Sequence, residues 1–487
     1  MVNPVLVVLA LAFGIRLAIA LAFPNVVAFD EVFQNLEQAH RLVFGQGIVP
    51  WEYQVGLRSW LIPLLLAGPM ALARLVSANP LVGLVFIRVL LVLASLPIVW
   101  CATLWGEKFH GRQGAWIAGL FTAFWPDLWL MAPHPLEEVL AADIFVPAIF
   151  LVESAPASLR KVALGGFLLG LCLVLRLQLA PAIALAGIAL CRRDFGRWRA
   201  GLLGGLVPVL MAGGLDWVTW GEPFRSFFLN VYLNVFLGVA AHEFGASPAW
   251  FFPFIMGLAW LWTLPVMIYV TWRGARHLKV AGFAILLIFV THSLISHKEF
   301  RFVFPAVAVA VPLAGIGLAG FCETLARPIP WRHYVAGALA FSGPLCSPWL
   351  YFLLMLQSNS YHVFESLAAQ RPSLVAIGPW ETSFLPLDGL LPETTRLTDM
   401  SVFNQPSPRP DFIVATMHSI TVPAGYRLAE CHAGHWNPVL RSSGIGFCVW
   451  ARDVPAAATG AVPPCEFPMP QAAIPFILPD KRPGAGA

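Results

Sequence analysis

Charge is what this chain has least of: only 11% of its 487 residues are Asp, Glu, Lys or Arg, against about a quarter in soluble domains. That deficit excludes an ordinary soluble enzyme, and a net charge of +4 provides no basic surface for nucleic acid. Short alternating segments are missing too, which excludes a transmembrane barrel. The eight cysteines contain no CxxC spacing, so no zinc site is indicated. No internal repeat is visible, although many transporters are built from one. Residues 4–23 lack a basic n-region, and Arg16 interrupts their apolar core. They read as an uncleaved first membrane helix, even though Ala20-Leu21-Ala22 imitates a signal-peptidase site.

Hydrophobic residues make up 58% of the chain, in successive apolar runs of roughly 15 to 25 residues, the signature of an all-α polytopic membrane protein. Basic clusters at Lys108/Arg112, Arg160/Lys161, Arg192/Arg193/Arg197/Arg199, Arg273/Arg276/Lys279 and Arg327/Arg332 mark the cytoplasmic loops. An even number of crossings must separate neighbouring clusters. The apolar stretch between Lys161 and Arg192 therefore turns at an outer apex near Arg176-Leu177-Gln178. Other outer apexes fall at Pro133–Glu138, at residues 216–250 and near His297. About eleven crossings result, with the C-terminus outside.

The first outer loop, Phe29 to Arg58, repeats apolar residues at Val32, Leu36, Ala39 and Val43, a spacing that predicts an amphipathic helix lying in the membrane interface. Residues 58–77 read as a half-embedded helix. Beyond about residue 356, Pro and Gly rise, and residues 411–415 and 446–450 suggest strands. The expected division is a membrane domain, 1–355, and a small extracytoplasmic soluble α/β domain, 356–487. Cys101, Cys172, Cys191, Cys322 and Cys346 read as inert core residues. A Cys431–Cys448 disulfide suits an extracytoplasmic tail, and Cys465 leaves the pairing open.

Ser296-His297-Lys298-Glu299-Phe300-Arg301-Phe302 puts polar and charged groups between two apolar runs. Ionisable groups at a membrane boundary cost several kcal/mol against lipid, so they line a cavity or a ligand, or else snorkel to the surface. In a helix, His297 and Arg301 would share a face with Lys298 flanking it, converging on an anion such as a phosphate.

That segment resembles the HKExRF hallmark of the family 22 glycosyltransferases, membrane enzymes of the GT-C superfamily that include mannosyltransferases of GPI-anchor and dolichol-linked-oligosaccharide assembly. The first outer loop is similar to theirs as well, in Asp30-Glu31, Phe33-Gln34, Leu36-Glu37, Ala39-His40, Phe44-Gly45, Gly47, Trp51-Glu52 and Leu57-Arg58-Ser59. Weaker echoes are Leu215-Asp216-Trp217 to Trp220-Gly221, Asn230 and Asn234. The His134-Pro135-Leu136-Glu137 apex departs from the Ser-Asn-x-x-Glu usual in eukaryotic members. The resemblance covers about residues 1–330.

It implies inverting transfer of mannose, or another hexose, from a polyprenyl-phosphate donor to a glycan or lipid-linked acceptor on the extracytoplasmic face. The alternatives are a polytopic lipid or ion transporter and a GT-C enzyme for another sugar. Inversion needs a base on the acceptor hydroxyl opposite the leaving group. Asp30, directly after the first helix, is the expected base, with a plain N-cap as its bland role. Glu31 is expected to cap or orient the following helix. His297, Lys298 and Arg301, with Arg176 and Arg58, are expected to bind the donor phosphate, so no metal or other cofactor is required. Glu299 is expected to pair with Arg301 or Lys298. Gln34, Trp51, Glu52, His134, Glu137 and Asp216 are candidates for acceptor contacts or support. Trp51, Trp217 and Trp220 either stack on sugars or belong to an interfacial belt. Short loops suggest a bacterial inner membrane; a eukaryotic member would occupy the endoplasmic reticulum.

Overall fold

The structure, a computed structural model, describes residues 3–453 apart from 78, 156–157, 326–330, 357, 379–389, 393, 405–408, 417–419 and 433–446. Arg327 and Cys465 lie outside the described residues. The chain forms two compact units, residues 1–20 with 89–351 and residues 21–88 with 352–487. This differs from a boundary at residue 355, because the first outer loop groups with the tail.

The first unit is helical. Its principal elements are most of α1 (Pro4–Ala22) and of α2 (Pro80–Phe124), whose residues 21–22 and 80–88 belong to the second unit, with α3 (Glu137–Glu153), α4 (Leu159–Leu175), α5 (Ala180–Cys191), α6 (Phe195–Trp220), α7 (Thr263–Ala275), α8 (Lys279–Leu294) and α9 (Phe304–Glu323). Helix α2 breaks at His110 and Gly111, where Gly111 takes a φ of 58°. Its arms then return so closely that a Cβ on Gly106 would strike the Gly114 carbonyl. The basic residues Lys108 and Arg112 flank this turn, as a cytoplasmic hairpin requires.

Among the described residues, Pro4–Ala22, Leu81–Phe124, Phe195–Trp220 and Phe300–Glu323 are long and apolar enough to cross a membrane. A fifth span results if Phe251–Trp260 and Thr263–Ala275, bent by 106°, count as one. Leu61–Val76, Leu177–Cys191 and Lys279–Leu294 are apolar but shorter. Full-length spans are thus fewer than the roughly eleven crossings expected from loop charges. The reason is local: polar breaks at Arg176 and sharp bends divide the apolar runs into short helices.

Small residues set the packing. A Cβ on Gly166 would collide with the Gly201 carbonyl, and one on Gly170 with that of Gly205, so α4 and α6 meet backbone to backbone. Between lipid-covered helices, van der Waals contact of this kind replaces the hydrophobic effect as the source of association. The opposite side of α6 exposes Leu202, Leu203, Leu206, Val207, Leu210 and Met211, an apolar surface suited to lipid. Helix α9 is the reverse case. Its span is 89% buried, and its Ala, Val and Gly residues admit close neighbours: Gly317 abuts the Val270 carbonyl and Gly274 that of Leu313.

In the second unit, β1 (Leu374–Ile377), β2 (Arg396–Asp399), β3 (Phe412–Thr416), β4 (Tyr426–His432) and β5 (Phe447–Arg452) form one sheet in the order β2-β1-β3-β5-β4. β1 pairs in parallel with β2 and β3, whereas β5 is antiparallel to β3 and β4. Both strands expected from the sequence are present, as β3 and β5. Cys431 and Cys448, opposite each other on β4 and β5, form a disulfide.

The first outer loop is not the interfacial amphipathic helix its spacing suggests. Val26, Val32, Phe33 and Ile48 join Phe364, Val375, Ile377, Val414, Phe447 and Val449 in one apolar core. Each such burial is worth roughly 1.5–3 kcal/mol. Glu31, Gln34, Asn35, Glu37, Gln38 and His40 are buried as well, so the helix has no solvated polar face. Cys346 also departs from expectation: it is exposed and Cys322 half-buried, while Cys101, Cys172 and Cys191 are buried.

Substituting Gly166→Leu should destabilise the α4–α6 contact by about 1–3 kcal/mol through overpacking, lowering the melting temperature in detergent. Gly187→Leu, where a Cβ meets open space, should leave it unchanged; equal effects would show that the glycine contact does not hold these helices.

Candidate active site

Two arrays of chemically capable side chains emerge, one in each unit. In the first unit, Arg176 interrupts the apolar run between α4 and α5 with extended backbone, before a 3-10 turn at Leu177–Leu179. Arg301 lies on the 3-10 turn Phe300–Val303 that enters α9. Both guanidinium groups meet the wholly buried Glu138 at the start of α3. Arg176 Nη2 stands 3.0 Å from Glu138 Oε1, and Arg301 Nη1 stands 3.3 Å from Oε2. Glu137 lies 3.5 Å from Arg176. Glu299 takes the other edge of Arg301 in a two-pronged pair, at 2.8 and 3.0 Å. The Phe302 ring lies under both cations, 4.6 Å from Arg176 and 5.5 Å from Arg301, a cation–π arrangement.

The segment around His297 is extended and then 3-10 rather than α-helical, so the expected shared helical face does not form. Convergence comes through Glu299 instead. His297 Nε2 lies 3.3 Å from Glu299, while its Nδ1 bonds to the Gly245 carbonyl at 3.0 Å. The hydrogen bond to Glu299 raises the His297 pKa against the opposing effect of burial. Burial alone would raise the Glu299 carboxyl; Arg301 and His297 outweigh it and hold the group well below the usual carboxylate range. The expected cluster of cations is therefore a balanced ladder, with Glu137, Glu138 and Glu299 against Arg176, Arg301 and His297.

Lys298 does not join it. Its ammonium donates to the carbonyls of Ser247 and Ile295, so it ties the loop together, and burial lowers its pKa. These two bonds use two of its three N–H donors. His134 is buried in the turn before α3. Among the described residues, no group of three or more His, Cys, Asp or Glu side chains converges as a metal site. Asp216 accepts from both the backbone N–H and the hydroxyl of Ser226, at 2.9 and 2.6 Å. Through Oδ2 it anchors the turn after α6. Trp217 is exposed, as a lipid-belt residue would be, whereas Trp51 is buried and offers no stacking face.

In the second unit, Asp30 precedes a π-helical segment, Glu31–Leu36, and makes no N-cap hydrogen bond with its side chain. Short π segments are frequent at functional sites. Gln34 Nε2 reaches Asp30 Oδ1 at 2.8 Å and Glu52 Oε1 at 3.0 Å, so one amide bridges two carboxylates. Arg58 pairs with Glu52 at 3.6 Å. Burial raises the Glu52 pKa; Arg58 opposes the rise and Asp30 adds to it. Glu31 accepts from the backbone N–H groups of Val27 and Ala28, in the turn before the helix. Tyr53, which sequence reasoning missed, places its hydroxyl between the carbonyls of Gln34 and Ser59 and locks this loop. His292 of α8 was also missed; its signal was a lone histidine in an apolar helix beside the charged segment.

A family model, the Alg9-like mannosyltransferase family, matches residues 6–379. The chain belongs to that family. It is accordingly a multi-pass membrane glycosyltransferase, and the transporter alternative falls. It is 27% identical to GPI mannosyltransferase 3 of Yarrowia lipolytica over 383 residues, 77% of this chain and 72% of that protein. Its identity to GPI mannosyltransferase 3 of Drosophila melanogaster is 28% over 329 residues. There the match takes in 62% of this chain and 54% of the relative, so the chain spans about half the length of the fly protein. Among solved structures it is similar to ArnT from Cupriavidus metallidurans bound to undecaprenyl phosphate. That match has a TM-score of 0.56 at 16% identity, covering 94% of this chain and 99% of that one. The fold is thus the GT-C fold anticipated from the motifs.

The His297–Glu299 pair makes a pH-dependent contribution. A histidine whose folded pKa is raised stabilises fully below its ordinary value of about 6.5 and loses that contribution as pH rises through the folded pKa. Melting curves of wild type and His297→Phe should therefore differ most at acidic pH and converge at alkaline pH. A gap independent of pH would show that the imidazolium is not what Glu299 holds.

Proposed function

We propose that the protein transfers mannose, with inversion, from a polyprenyl-phosphate donor to a glycan or lipid-linked acceptor at the extracytoplasmic face. The names of its relatives make a GPI-type glycan the first acceptor to test. The observation that carries this reading is the arrangement of the two arginines. Buried Glu138 anchors both guanidinium groups, while Glu137 and Glu299, 29% and 34% exposed, are the partners a donor phosphate replaces. Fixed cations aimed at the leaving phosphate stabilise the charge that develops on it without reorganising. In this reading they take the place of a metal ion.

Asp30 serves as the base on the acceptor hydroxyl. Gln34 donates to its Oδ1 and fixes the carboxylate's orientation. Glu52, with its raised pKa, and Arg58 tune the electrostatics of that loop. The Cys431–Cys448 disulfide supports an oxidising, extracytoplasmic setting for the second unit.

Purified protein, radiolabelled polyprenyl-phosphate mannose and candidate glycan acceptors test the reading directly. Asp30→Asn should abolish label transfer, by at least about a hundredfold, with donor binding retained; normal turnover would remove Asp30 from the mechanism. Arg301→Ala should weaken donor binding and turnover together, and an unchanged donor affinity would count against its phosphate role.

A further inference from the structure

His292 lies on α8, the helix that packs against α3 and against both 3-10 turns carrying the arginine ladder. It is fully buried. Its Nδ1 stands 2.8 Å from the Ile288 carbonyl. A carbonyl only accepts, so Nδ1 carries the proton, and in a neutral imidazole Nε2 is left as an acceptor. Among the described residues that Nε2 has no hydrogen-bond partner, and neither does Arg176 Nε; both atoms are buried. His292 is near enough to Arg176 and Glu138 to interact electrostatically with each. A buried acceptor and a buried donor left unmatched each cost about 1–3 kcal/mol.

We infer that His292 is a positioning residue for Arg176: its neutral Nε2 accepts from the Arg176 guanidinium, directly or through one water, when the donor phosphate draws Arg176 away from Glu137. The inference rests on the phosphate role proposed above for Arg176. The chemistry explains the residue type. A carboxylate at this place would hold the guanidinium equally well but cancel the charge a phosphate needs. A neutral imidazole holds it and leaves the charge intact. The Ile288 bond fixes both ring orientation and tautomer, as second-layer partners do for metal-bound histidines. The role differs from that of Glu138, which supplies the compensating charge, and from that of Phe302, which supplies only a ring face.

The test is a double-mutant cycle on the full-length protein with a short-chain isoprenyl-phosphate mannose donor, separating donor KM from kcat. His292→Asn keeps a donor for the Ile288 carbonyl but loses the acceptor at the Nε2 position; His292→Gln keeps an acceptor there. His292→Asn should raise donor KM about tenfold, the effect of losing one hydrogen bond to a charged group, with kcat little changed. His292→Gln should stay within about threefold of wild type. In an Arg176→Gln background, His292→Asn should add less than about twofold. Equal damage from Asn and Gln, or an undiminished effect in that background, would overturn the inference alone. Arg176→Gln with an unchanged donor KM would instead overturn the phosphate reading beneath it. Should His292→Asn fail to fold, the imidazole 15N shifts of the wild type decide. Protonated Nδ1, with an Nε2 resonance that moves on adding isoprenyl phosphate, supports the role; the opposite tautomer sinks it.

Discussion

One carboxylate, Glu138, holds the first unit's polar centre together. Wholly buried, it faces Arg176 from one apex and Arg301 from another. A buried charge left without its partner costs about 3–5 kcal/mol. Neither arginine would stay beside apolar helices without it, nor would the turns that carry them. The turns in turn need α9, whose small residues let it run through the middle of the unit and bring Arg301 to its entrance. Close glycine contacts between α4 and α6 do the corresponding service for Arg176 at the end of α4.

Charge balance is the feature that most changes the view of the site. A cluster of bare cations would be costly at the edge of a membrane and would bind any anion. Pairing each guanidinium with one buried and one half-buried carboxylate makes the resting state tolerable. Under the proposed function, selectivity rests on exchange: an incoming phosphate must do better than a carboxylate that is already in place. Glutamates at the more exposed positions fit this, since their loss of contact is offset by water.

The second unit shows how a loop and a distant tail make one body. Val26, Val32, Phe33 and Ile48 share a core with strands that begin more than three hundred residues later. The chemical consequence is rigidity. The loop carrying Asp30, Gln34, Glu52 and Arg58 is clamped from beneath by apolar packing and from within by Tyr53. The base role proposed for Asp30 needs such support, because small displacements weaken proton transfer steeply.

Much was legible in residue types and spacing. Asp30 with Gln34, Glu52 and Arg58, and Arg301 with Glu299, are interrupted runs of polar groups next to apolar ones, a pattern that stands out in any membrane chain. Arg176 was legible from loop charges alone, because parity demanded a turn there. The contacts of Lys298 and Asp216 were not legible, because the ammonium donates to the carbonyls of Ser247 and Ile295 and the carboxylate accepts from Ser226, and sequence carries no record of such bonds. The helical spacing of Val32, Leu36, Ala39 and Val43 was real, but periodicity marks only that a face is buried, not what buries it. The chain's own order of residues therefore determined the membrane architecture, the family and the identity of the charged groups, since hydropathy and motif spacing are local properties. Which charges neutralise one another was decided by tertiary packing, because Arg301 meets Glu138 across 163 residues and Arg176 meets it across α3 and α4, distances that sequence does not record.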